Sequence, residues 1–107
     1  MENLKPEFPV TVTARHMDNT DSIRSYVETK LSRIHLKYPR VMDAKVVVDN
    51  QRHGQNVEII LHCADHILIE ADTETSDLYE AIDITIEKVE RQMRKAKTKR
   101  QKRLGHH

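Results

Sequence analysis

The feature that most restricts what this chain can become is the change of hydrophobic period along it. From Val10 to Arg15, apolar and polar residues alternate as in a half-buried strand. Ile23, Val27, Leu31, Ile34 and Tyr38 then recur at three- and four-residue intervals, the mark of an amphipathic helix. Asp18-Asn19-Thr20-Asp21 supplies N-cap residue types ahead of it. Pro39 limits it, because the residue before a proline disfavours α geometry. Three further segments read as strands: Ala44 to Asp49, which is rich in valine, Val57 to Cys63, and Ile67 to Asp72. In the second of these, Val57, Ile59, Leu61 and Cys63 make the expected core face. Turn chemistry separates the segments, at Asn50-Gln51-Arg52-His53-Gly54 and at Ala64-Asp65-His66. A second helix is predicted from near Ser76-Asp77, where Asp77 and Glu80 stand at capping-box spacing. Leu78, Ala81, Ile82, Thr85, Val89, Met93 and Ala96 hold one face of it to about Lys97, and the basic tail can continue it.

The expected order is therefore β-α-β-β-β-α, an α/β chain of the α+β sandwich type. A strand-helix-strand start favours a parallel pair joined by a crossover, and the closely spaced later strands favour an antiparallel meander. Both helices must bury their stripes, so both are expected on one face of a four-stranded sheet. Glu58, His62, Glu70 and Asp72 would then line the open face. With 107 residues there is room for one core. The expected division is a flexible leader over 1–8, one domain over 9–97 and a basic extension over 98–107.

Charge is distributed unevenly along this frame. The formal net charge of +1 hides an acidic body and a basic end. Residues 91–107 hold eight Lys/Arg and no acid, so the rest of the chain has ten basic against seventeen acidic side chains. Such asymmetry points to a polyanionic partner. A solvated helix end is the bland alternative, yet eight like charges without an acid repel one another.

Mapping the cations onto helices at about 100° per residue sharpens this. Lys88, Arg91, Lys95, Lys99 and Lys102 fall in one narrow stripe of the second helix, beside its apolar face. On the first helix, Lys30, Arg33 and Lys37 make a similar stripe, and Arg40 continues it. Two helices side by side would present both stripes to one partner. Rows of cations suit the phosphates of folded nucleic acid, with binding that weakens steeply as salt rises. Aromatic residues are few: Phe8 in the leader, and Tyr26, Tyr38 and Tyr79 on the helices. No strand carries a stacking aromatic, so backbone and shape recognition of RNA is expected over base stacking.

Several classes are set aside. No stretch reaches the roughly 18 apolar residues of a membrane span, and Met1 to Pro9 has no apolar signal core. One cysteine, Cys63, excludes an internal disulfide framework and fits a reducing cytosol, so a cytoplasmic location is expected. His62, Cys63, Asp65 and His66 form the sole histidine-centred cluster, but His62 and Cys63 point to opposite faces of a strand, so no metal site is expected. The sequence leaves open whether the terminal pair His106-His107 is native. Asp77, Asp83, Glu87 and Glu90 are helix-surface acids without an apolar cleft, so no enzyme, cofactor or small-molecule substrate is expected.

The segment Asp77-Leu78-Tyr79-Glu80-Ala81-Ile82-Asp83, followed by Lys88, Arg91-Gln92, Lys95, Lys97 and Lys99, resembles the signature helix of the hibernation-promoting factor and ribosome-associated inhibitor family, also labelled sigma-54 modulation protein. The resemblance covers roughly residues 9 to 100. It implies a β-α-β-β-β-α fold similar to double-stranded RNA-binding domains. It also implies a ribosome-binding translation inhibitor that occupies the small-subunit decoding channel, across tRNA sites and the mRNA path, and promotes hibernation in stress or stationary phase. The positions matching the motif imply Lys88, Arg91, Lys95 and Lys99 as rRNA contacts. Lys102, and Lys30, Arg33 and Lys37 from the first helix, join them on charge placement. The short form of the family, a monomer off the ribosome, is the expected type, with small-subunit rRNA and intact ribosomes as partners. A generic structured-RNA binder, and a transcription modulator acting by protein contact, remain as alternatives.

Overall fold

The computed structural model describes residues 5–18 and 21–104. Part of the leader, the Asn19-Thr20 half of the capping cluster and the His106-His107 pair lie outside them. The elements are β1 (Val10–Arg15), α1 (Asp21–Ser32), β2 (Val41–Gln51), β3 (Gly54–Cys63), β4 (Leu68–Thr75) and α2 (Leu78–Leu104). They form one sheet in the order β1-β2-β3-β4. The pair β1 and β2 is parallel, and the other two pairs are antiparallel. This is the expected α+β architecture, with strands β2, β3 and β4 longer than the apolar runs alone indicated.

The register explains how the core closes. Val12, Val46, Ile59 and Ala71 stand abreast across the four strands, and Ala14, Val48, Val57 and Thr73 form the next row. These rows face the helices. Ile23, Val27 and Leu31 of α1 and Ala81, Ile82, Val89 and Met93 of α2 pack on them in one buried cluster. Each fully buried Val or Ile contributes about 1.5–3 kcal/mol relative to exposure, so the sheet face and two stripes together hold this thin core. Phe8, read from sequence as part of the leader, packs against the cluster. The carbonyl of Pro9 accepts a hydrogen bond from Ala44 N, which starts the sheet there.

Local chemistry sets the ends. At the β2–β3 hairpin a Cβ on Gly54 would sit 2.8 Å from the Thr75 carbonyl, in a backbone with φ of 150°. Only glycine fits there. At the start of α2, Asp77 Oδ1 accepts from Tyr79 N at 2.9 Å and Glu80 N at 3.3 Å. The return half of the expected capping box is supplied differently: Asp77 N donates to Thr75 Oγ1 at 3.0 Å.

The largest departure from the sequence reading is the end of the first helix. The spacing of Ile34 and Tyr38 predicts helix up to Pro39, but α1 stops at Ser32. Two tight bonds close its last turn, Arg33 N to Lys30 O at 3.2 Å and Ile34 N to Leu31 O at 3.1 Å. Beyond it the chain is extended, with Ile34, Leu36 and Tyr38 turned partly inward and Arg33, His35 and Lys37 exposed. Ile34 and Leu36 both pack against the core in this form. Arg33 and Lys37 are therefore not part of a helical stripe. Arg33 sits in the turn that closes α1, and Lys37 on the exposed side of the extended segment that follows it.

Candidate nucleic-acid interface

The cationic row predicted on α2 is present and continuous. One shallow cavity is lined by Glu70, Ala71, Asp72, Lys88, Arg91, Gln92 and Lys95. The next, along the same flank, is lined by Arg91, Arg94, Lys95, Thr98, Lys99 and Lys102. Lys88, Arg91, Lys95, Lys99 and Lys102 thus share one surface. Two side chains anchor that flank to the edge of the sheet. Lys88 Nζ donates to the Asp72 carbonyl at 2.6 Å, and Gln92 Nε2 to the Glu70 carbonyl at 2.7 Å. Both carbonyls belong to edge strand β4, so these bonds also blunt an edge that would otherwise invite strand pairing. Lys88 keeps two further N–H donors for an anion.

Past Ala96 the helix leaves the body, and every residue from Lys97 to Leu104 is exposed. The 27-residue helix is about 40 Å long at 1.5 Å per residue. Its distal part carries cations on all sides. Arg94, Lys97, Arg100 and Arg103 join the row on other faces of the same cylinder. A search for one narrow stripe passes over Arg94, Arg100 and Arg103, although the count of eight cations without an acid contains them. Glu90 is the last acid before this run and lies 3.9 Å from Arg94. Cations at a helix C-terminus also complement its dipole.

The structure does not join the two predicted stripes side by side. Lys30 remains on α1, but its ammonium pairs with Asp83 of α2 at 3.4 Å. At 100° per residue, Asp83 and Tyr79 lie on the flank of α2 that meets α1, whereas Lys88 and Gln92 lie on the flank that meets β4. The two sets of cations stand on opposite sides of the helix. They approach through the extended segment instead, because Arg100 stacks over the Tyr38 ring at 4.8 Å. That stacking ties the segment carrying Arg33, Lys37 and Arg40 to the distal end of α2.

The α1 flank has its own network. Tyr26 Oη donates to Asp83 Oδ1 at 2.7 Å. Burial, then this bond and the Asp83 charge, push the Tyr26 pKa up to about 12, so the phenol holds its proton. Tyr26 and Tyr79 pack edge to face with centroids 4.8 Å apart.

The open sheet face is different in character. Glu58 stands opposite Asp72, and Glu70 and Glu74 flank Asp72 along β4, all of them exposed. The expectation that Glu58, His62, Glu70 and Asp72 face solvent holds. His62 Nδ1 donates to Asp43 Oδ1 at 2.8 Å, while Cys63 is buried on the other face. Burial, reinforced by the charge of Asp43, holds the Cys63 thiol above its ordinary pKa, in the form that binds metal poorly. His16 Nδ1 donates to Asp49 Oδ1 at 2.8 Å, and this bond, with a second from Gln51, holds the Asp49 carboxyl below its usual range.

Fold and charge layout together define a small α+β domain bearing a cationic helical arm. The chain belongs to the Sigma 54 modulation protein / S30EA ribosomal protein family, whose model matches residues 10–101. It is 33% identical over 90 residues to the ribosome hibernation promoting factor of Azotobacter vinelandii, covering 84% of this chain and 83% of that one. It is 36% identical over 93 residues to the ribosome hibernation promotion factor of Deinococcus radiodurans, a match that covers 82% of this chain but 48% of the longer relative. Among solved structures, the N-terminal domain of Thermus thermophilus Protein Y superposes with a TM-score of 0.69 at 29% identity, covering 86% of this chain and 98% of that one. A ribosomal subunit interface protein from Coxiella burnetii shares the fold, with a TM-score of 0.77 at 22% identity over 84% of this chain and 98% of its own.

Proposed function

We propose that this protein is a cytoplasmic ribosome hibernation factor that binds rRNA of the small subunit and inhibits translation. In this reading it occupies the decoding channel, where it excludes tRNA and mRNA under stress or in stationary phase. The observation that carries the reading is the cationic arm: an unbroken row of Lys88, Arg91, Lys95, Lys99 and Lys102 on a helix that projects from an acidic body. Family membership and the names of the relatives support the ribosome as the polyanion.

Lys30, Arg33 and Lys37 contact rRNA from the other side of α2, so the RNA embraces the helix rather than lying on one plane. The acidic open face is repelled by phosphate and turns away, which fixes how the domain sits. Binding and steric exclusion are the whole of the mechanism, with no covalent step. No helix of the described residues is long and apolar enough to cross a membrane.

Sedimentation through a sucrose gradient with ribosomes tests this. At low salt the protein should travel with small subunits and intact ribosomes, and it should be released steeply as salt rises. Protein left at the top of the gradient at low salt would overturn the reading. Equal affinity for free duplex RNA would favour a generic RNA binder instead.

A further inference from the structure

The groove between α1 and α2 is chemically unlike the cationic row. It is an open groove of about 390 Å3, lined by Ser22, Ser25, Tyr26, Thr29, Lys30, Arg33 and Tyr79. The charge of Lys30 in it is balanced, because its ammonium is held by Asp83 at 3.4 Å and lies over the Tyr26 ring at 5.4 Å, which leaves Arg33 as the groove's one unpaired cation among the described residues. Its wall presents three aliphatic hydroxyls and an aromatic pair, which suit an uncharged polar ring better than a run of phosphates.

We propose that this groove takes one unpaired RNA nucleotide, with its base stacked on Tyr79 and its phosphate at Arg33. The inference rests on the RNA-binding reading above and names a site within it. Tyr79 is 40% exposed although it packs edge to face on Tyr26. Whichever ring supplies the edge, at least one face of Tyr79 is left uncovered by Tyr26. The platform is held in place before any ligand arrives. Asp77 Oδ1 accepts from Tyr79 N at 2.9 Å, and the phenol of Tyr26 is pinned to Asp83 at 2.7 Å. Ser22, Ser25 and Thr29, spaced by three and four residues on α1, offer hydroxyls that can both donate and accept along the edge of a base or to a ribose. Arg33 is exposed and has no ion pair among the described residues, so its guanidinium is available to the phosphate of the same nucleotide. Asp77 and Glu80 lie at the opposite end near Tyr79 and disfavour phosphate there, which sets the direction of the nucleotide. A base in a duplex cannot enter such a groove, because its faces and pairing edge are occupied.

The chain has three tyrosines and no tryptophan, so tyrosine emission reports on stacking directly. The test titrates the full chain with single-stranded hexaadenylate and with an RNA duplex of the same length. The single strand should quench emission in the wild type. Tyr79→Leu should lose that quenching and roughly tenfold in affinity for the single strand, while Tyr79→Phe keeps the affinity. Ser25→Phe, which fills the groove and leaves Tyr79 in place, should weaken the single strand alike and leave duplex binding unchanged. Wild-type affinity for hexaadenylate in both Tyr79→Leu and Ser25→Phe would overturn the proposal, as would equal quenching by the duplex. The two readings fail separately: cosedimentation of the wild type with ribosomes tests the ribosomal one, and the oligonucleotide comparison tests the groove.

Discussion

The open face of the sheet and the distal half of α2 are both solvent-exposed and both charged, yet they are built on opposite principles. On the sheet, Glu58, Glu70, Asp72 and Glu74 project from strands whose other face is the core. Their backbone is held by ladders on both sides or, at the β4 edge, by Lys88 and Gln92. On distal α2, every side chain from Lys97 to Leu104 is exposed, and the stacking of Arg100 over the Tyr38 ring at 4.8 Å is what ties the helix back to the body. The first region is acidic because solubility and repulsion from a polyanion cost it nothing in packing. The second is basic at a concentration that only an external partner neutralises. The difference separates stability from binding within one small chain.

Reversing charge at Arg91 and Lys95 together should have the largest effect on that separation. Both are exposed, so R91E/K95E should fold with an unchanged circular-dichroism melt. It should bind ribosomes more than about a hundredfold more weakly, because several phosphates are no longer neutralised. Retained cosedimentation would remove α2 from the interface. Next, Ile82→Ala should do the reverse. Ile82 is fully buried, and truncation of such a side chain costs about 2–5 kcal/mol. Chemical denaturation should show the loss, while the folded fraction keeps the wild-type salt dependence of binding. The smallest effect is expected at Glu58→Lys. Glu58 faces Asp72 directly, and replacing like charges by opposite ones across a strand pair contributes about 0.2–1 kcal/mol. A slightly raised melting temperature with ribosome affinity within about twofold of wild type is the expected result. A large gain in affinity would mean that the open face lies near rRNA after all.

Much of this was legible in the residues. Asp77 and the face from Ala81 to Met93 announced α2, and the alternation at Val57, Ile59, Leu61 and Cys63 picked out the buried side of β3. The first helix was harder, because two periods overlap there. Ile34 and Tyr38 continue the spacing of Ile23, Val27 and Leu31, while Arg33-Ile34-His35-Leu36-Lys37-Tyr38 also alternates strictly. That alternation was the available signal for an extended segment. Packing chose it, since it lets Ile34, Leu36 and Tyr38 all turn inward.

The sequence by itself determined the element order, the core faces and the concentration of cations after Glu90, because these follow from local periodicity and from counting charge. Only the tertiary structure decided how Lys30, Arg33 and Lys37 stand toward the row on α2. Lys30 to Asp83, Tyr26 to Asp83 and Tyr38 to Arg100 join residues more than fifty positions apart in the chain. No local period encodes such distances. They arise when α1 and α2 settle against one sheet face, and that packing put the two expected stripes on opposite sides of α2 instead of side by side.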